Sequence, residues 1–82
     1  MGKKEKVFTR LKNNPESGTF EDVQNLLLWC GFELRNSRGS HYIYKRPGYP
    51  LIVTIPKHRS LKRCYVQEAV ELFERYFDFD EE

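Results

Sequence analysis

The chain of 82 residues contains two histidines, His41 and His58, and both lie in a stretch dense in positive charge. His41 follows Gly39-Ser40 at the head of an alternating segment, His41 to Arg46. An imidazole titrates near neutrality, so a histidine entering a strand directly after a tight turn is a candidate for proton transfer. On residue type alone, a packed or hydrogen-bonded histidine is the commoner case. His58 sits in Pro56-Lys57-His58-Arg59, a basic loop ahead of a helical segment. There it reads either as a solvated side chain or as a phosphate contact helped by the following helix N-terminus.

Missing residue types narrow the chemistry. No Asp or Glu occurs between Leu34 and Gln67. Nucleases that work through two metal ions need clustered carboxylates to hold them, and this stretch has none. The expectation is therefore no metal site and no cofactor. RNA remains a suitable substrate because its 2′-hydroxyl is a built-in nucleophile. The protein then needs a proton acceptor and cations to stabilise the developing phosphorane charge. His41 is the candidate catalytic residue, and DNA, lacking the 2′-hydroxyl, does not suit it.

The charge distribution supports a polyanion partner. Residues 31–63 carry eight basic groups against Glu33, a balance of +7, whereas residues 64–82 carry seven acidic groups against Arg75, a balance of −6. Within the basic third, Arg38, Gly39, Ser40, Tyr42 and Lys45 surround His41 in sequence, and Lys57, His58, Arg59, Lys62 and Arg63 follow the last strand. These ten residues are the candidate RNA contacts. Cations track the backbone and aromatic rings stack on unpaired bases. Tyr42, Tyr44 and Tyr49 flank the region, but one face of the second strand has to cover the helices, so only some of these rings are free. A solvated surface serving solubility alone is the alternative.

The elements that position these residues fit one domain. Residues 1–18 read as an N-terminal appendage in which Val7, Phe8 and Leu11 form one short helical contact before Asn13-Asn14-Pro15 ends it. Thr19 and Asp22 resemble a capping box, and Val23, Leu26, Leu27 and Cys30 make the apolar stripe of a helix stopped by Gly31. Leu28 and Trp29 lie off that stripe and are expected to bury against the appendage. Phe32–Asn36 alternates as a strand, Ser37-Arg38-Gly39-Ser40 is a turn, and His41–Arg46 is the second strand, with Tyr42, Tyr44 and Arg46 on one face. Leu51–Ile55 reads as a strand covered on both faces or nearly so, ended by Pro56. A last helix beginning near Lys62–Tyr65 carries Val66, Ala69, Val70, Phe73 and Phe77 on its apolar side. The resulting class is α+β, in the order α-β-β-β-α: a three-stranded antiparallel sheet with two helices packed on one face. Residues 19–78 form the RNA-binding domain, and 79–82 an acidic tail that frays. Cys30 and Cys64 match no metal-ligand spacing and read as buried thiols. No segment approaches the ~18 apolar residues of a membrane span, and the lysine-rich start lacks the apolar stretch of a signal peptide, so a cytoplasmic location without membrane contact is expected.

From Thr19 through Tyr76 the chain resembles the HicA toxins of bacterial and archaeal toxin–antitoxin pairs. The matching stretches are Leu26-Leu27 with Cys30-Gly31-Phe32, then Arg38-Gly39-Ser40-His41-Tyr42, then Val53-Thr54-Ile55-Pro56-Lys57-His58. Gly-Ser-His entering a strand is the most specific of these marks. The resemblance implies a fold like that of double-stranded RNA-binding domains and metal-independent cleavage of mRNA. It further implies an essential histidine at His41, and a HicB-type antitoxin partner that covers the active surface. The rival is a non-catalytic RNA-binding module of the same architecture, in which Lys57, Arg59, Lys62 and Arg63 read duplex shape. A third reading is a protein-interaction module whose basic face docks an acidic partner.

Overall fold

The computed structural model describes residues 2–58 and 61–81. Its elements run α1 (Lys3–Asn13), a 3-10 turn (Pro15–Ser17), α2 (Phe20–Trp29), β1 (Glu33–Arg38), β2 (His41–Lys45), β3 (Val53–Pro56), α3 (Arg63–Tyr76) and a final 3-10 turn (Phe79–Glu81). The strands pair antiparallel in the order β1-β2-β3. The architecture is therefore α+β, with the expected helix–three strands–helix sequence.

Local chemistry explains where α2 starts and stops. The Thr19 hydroxyl accepts the Asp22 amide at 3.1 Å, and the Asp22 carboxylate accepts the Thr19 amide at 3.2 Å, so two amides with no partner inside the helix are satisfied reciprocally. The stripe of Val23, Leu26, Leu27 and Cys30 is buried. Just beyond the helix end, Gly31 takes φ +104°, and a Cβ there would lie 2.9 Å from the Arg46 Nε. Both constraints demand glycine.

The core joins α2 and α3 to one sheet face through Tyr44, Val53 and Ile55, with Val66, Ala69, Val70 and Phe73 closing it from α3. On the opposite face, His41, Lys45 and Thr54 are exposed. The expectation that Leu51–Ile55 is covered on both sides fails. The strand is Val53–Pro56, while Leu51 and Ile52 are 62% and 54% exposed. Leu51 and Ile52 lie ahead of the paired strand, in the connection from β2, so their apolar character marks neither a strand nor burial.

Three other expectations are corrected. The first strand is Glu33–Arg38 rather than Phe32–Asn36, and the turn shrinks to Gly39-Ser40. A register shift between Leu34 and Asn36 places Arg35 as a bulge, so the simple alternation breaks, and Leu34 remains 46% exposed at the sheet edge. Leu28 is exposed rather than covered by the N-terminal segment, and Trp29 is half-buried with the Lys4 ammonium 5.8 Å from its ring centre. Cys64 is exposed; Cys30 alone is buried, and burial pushes its thiol pKa up to about 11.

The chain ends are built into the packing. Phe8 and Leu11 of α1 belong to the core, and Arg10 and Lys12 reach Asp22 and Glu74 at 3.0 and 2.6 Å. Phe79, in the segment expected to fray, meets Phe8 and Phe73 at ring-centre distances of 5.5 and 5.6 Å. Short termini gain order when their apolar groups find partners, and here the two ends supply partners for each other.

Candidate RNA-processing site

Gly39 and Ser40 are the two residues of the β1–β2 hairpin. Gly39 has φ +59°, the left-handed region that a two-residue hairpin requires at its first central position. A Cβ at Gly39 would meet nothing within 4 Å, so the requirement is conformational, not spatial. This turn makes His41 the first residue of β2, opposite Arg38 on β1 and Pro56 on β3. Paired residues on neighbouring strands share a face, so Arg38 and His41 stand side by side. Both are exposed, and the His41 ring makes no hydrogen bond among the described residues.

The loop after β3 returns to the same place. The Lys57 amide donates to the Ser40 carbonyl at 2.5 Å, and the His58 amide to the Pro56 carbonyl at 3.1 Å. Lys57 and His58 are exposed, and they line an open groove of about 440 Å³ with Thr19, Phe20 and Glu21 at the start of α2. Arg38, Gly39, Ser40, His41, Tyr42, Lys57 and His58 are therefore gathered at one end of the sheet. Arg59 lies outside the described residues.

The remaining candidates separate. Lys45 shares the open face with His41 but sits at the far end of β2, four residues or roughly 13 Å along the strand. Lys62 is the N-cap of α3 and makes no side-chain cap; no acidic residue occupies that helix's first turn. Its positive end therefore adds to the Lys62 charge. Arg63 is also exposed, but its guanidinium lies 3.9 Å from the Glu16 carboxylate, which weakens its claim as a free cation.

The tyrosines divide by face. Tyr44 is fully buried and donates to the Gln24 Oε1 at 2.5 Å; burial, with a smaller push from Tyr42, raises its pKa to about 12. It belongs to the core and is not a stacking ring. Tyr42 is half-buried with its ring against Phe20, centres 5.1 Å apart at 67°, and the Lys57 ammonium lies 5.6 Å from its ring centre. Phe20 was not singled out from the sequence. It lies three residues before the buried Val23, a helical spacing that places it at the edge of the apolar stripe.

A family model described as HicA toxin of bacterial toxin-antitoxin matches residues 20–72, well over half of the chain. This chain belongs to the HicA toxin family. No curated protein and no solved structure gives a significant match. The HicA match covers α2, the whole sheet and most of α3, and so spans the His41 hairpin, the Lys57 loop and the N-terminus of α3. It leaves out α1, which contributes Phe8 and Leu11 to the same core. Among the described residues no helix is long and apolar enough to cross a membrane, and no group of three or more His, Cys, Asp or Glu side chains could hold a metal ion.

Proposed function

We infer that this HicA family toxin is a metal-independent endoribonuclease of mRNA and that His41 is its catalytic residue. The observation that carries this reading is the hairpin. It presents an exposed histidine beside Arg38, with the Lys57 backbone tied to the adjoining Ser40, in a stretch of chain free of carboxylates.

His41 takes the proton of a ribose 2′-hydroxyl while that oxygen attacks the adjacent phosphorus. The bond from phosphorus to the 5′-oxygen breaks, and the products are a 2′,3′-cyclic phosphate and a 5′-hydroxyl. Arg38, beside His41, supplies positive charge for the phosphorane. The leaving 5′-oxygen takes its proton from water, and Lys57 and His58 fit contacts to flanking phosphates. Tyr42, Lys62 and Arg63 fit contacts along the RNA, with Lys45 marking the far limit of the open face. In this reading residues 19–78 handle RNA, residues 1–18 brace them, and 79–82 form the acidic end. The inhibitor is a HicB-type antitoxin that presents acidic groups to the basic surface, and the toxin acts in the cytoplasm.

The test is His41→Ala. The residue is exposed, so the fold and RNA affinity are retained while cleavage falls by about 10²–10⁴-fold. Cleavage by the parent protein continues in EDTA, and RNA with a 2′-deoxyribose at the scissile position resists. A folded His41→Ala protein that cuts at the parent rate removes the assignment and leaves a non-catalytic RNA-binding module.

A further inference from the structure

The groove between the start of α2 and the Lys57 loop has more built into it than the cleavage chemistry uses. Phe20 is the first residue of α2, directly after the Thr19 cap, and it is only partly buried. The cap needs no aromatic ring at that position. Tyr42 holds the Phe20 ring from one side, and the Lys57 ammonium stands 5.9 Å from the ring centre. Lys57 makes no ion pair among the described residues, and neither does Glu21, which lines the groove next to Phe20. The groove thus combines a braced aromatic surface, an ammonium at ring-contact distance and a carboxylate without an ion pair among the described residues, and its volume of about 440 Å³ lies in the range of small-ligand clefts.

We propose that this groove is a nucleobase subsite, with Phe20 stacking on a base carrying an exocyclic amine and Glu21 reading that amine. The proposal rests on RNA being the substrate of the His41 site. A nucleotide needs a ring to stack on and a cation for its phosphate, and Phe20 and Lys57 offer both. A carboxylate here would repel a phosphate, but it accepts a hydrogen bond from the exocyclic amine of cytosine, adenine or guanine, a group that uracil lacks. The Lys57 amide is bonded to Ser40, next in the chain to His41. Tyr42 and the His41 side chain lie on opposite faces of β2, so the stacked base belongs to a nucleotide that reaches the groove around the end of the sheet from the scissile phosphate. Phe20 and Glu21 therefore decide which base is held there, and His41 does the chemistry.

The test uses short single-stranded RNAs made abasic at one nucleotide at a time, bound to the full-length His41→Ala protein so that no cleavage intervenes. One position is expected at which removing the base weakens binding by about 5- to 150-fold, the weight of one stacked base. Phe20→Leu, which keeps an apolar side chain against Tyr42, loses a similar factor on intact RNA and nothing further on that abasic RNA. Uracil at the same position binds more weakly than cytosine or adenine, and Glu21→Ala removes the difference. A folded Phe20→Leu protein that still responds to the abasic position as the parent does overturns the subsite, and so does a base preference that survives Glu21→Ala. The nuclease reading is judged separately. A parent protein that shows the Phe20-dependent response but cuts no RNA keeps the subsite and loses the catalytic role of His41. Normal cleavage without the response removes the subsite alone.

Discussion

The two ends of β2 carry similar residues and use them in opposite ways. At the start, His41 and Arg38 are exposed and make no ion pair or ring contact among the described residues. Just past the other end, Arg46 is consumed by the structure. Its Nε donates to the Cys30 carbonyl at 2.9 Å, another guanidinium nitrogen donates to the Pro47 carbonyl at 2.9 Å, and the guanidinium lies 3.9 Å over the Tyr76 ring. The carbonyl of Cys30, where α2 terminates, gains a charged donor this way, so Arg46 ties the helix end to the strand end. A positive charge in the sequence therefore does not identify an RNA contact. A cation serves a ligand when the fold leaves it unpaired, and serves the fold when a carbonyl or ring has already claimed it.

Substitutions at five residues sharpen this contrast, and the largest effect belongs to the free end. His41→Ala is expected to cost two to four orders of magnitude in cleavage rate with little change in melting temperature. A large loss of stability in that variant would place His41 among the structural residues and erase the distinction between the ends.

Next comes the buttress that the sequence presented as an appendage. Leu11 is fully buried, and Leu11→Ala is expected to cost about 2–5 kcal/mol in denaturant unfolding. In so small a domain that is a large share of the total stability. The cleavage rate of the folded fraction stays at the parent level. An unfolding curve unchanged by the substitution would mean that α1 is a detachable segment.

Arg46→Ala tests the consumed cation directly. Loss of a charged hydrogen bond to a carbonyl costs about 1.5–3 kcal/mol, and loss of the ring contact adds about 0.5–1 kcal/mol. RNA affinity and its salt dependence are unchanged. A fall in RNA affinity as large as the fall in stability would show that Arg46 serves the ligand after all.

The smallest effect is expected at the N-terminus of α3. Replacing Lys62 and Arg63 together by Ala flattens the slope of log affinity against log salt by about one to two units. Lys62→Ala accounts for most of that change, because Arg63 is already close to Glu16. An equal contribution from Arg63 would mean that the Glu16 contact yields to RNA without resistance.

Local rules explain which parts of this protein were legible in the sequence. The Thr19–Asp22 box spans one helical turn, the α2 stripe follows the helix period, and Gly39-Ser40 defines a hairpin within four residues. Each depends on neighbours close along the chain, so residue types and spacing alone placed α2 and put His41 at the head of β2. The position of Arg35 as a bulge was not legible, because a bulge is a relation between two strands. The same limit applied to exposure. Leu51 and Ile52 have the composition of covered strand residues, but pairing with β2 begins only at Val53, and the two residues ahead of it are left in contact with solvent.

For the site, the sequence determined the chemistry on offer: a histidine after a tight turn, cations around it and no carboxylate in that stretch of chain. Tertiary structure decided which of those groups remain available. It placed Arg46 on Tyr76, set Arg63 beside Glu16, left Lys45 at the far end of the strand and brought Phe20 against Tyr42 and Lys57. Each of these outcomes depends on a partner distant in sequence, delivered only when helices and sheet dock. Charge and ring contacts act over a few ångströms in space, a distance that spacing along the chain does not encode.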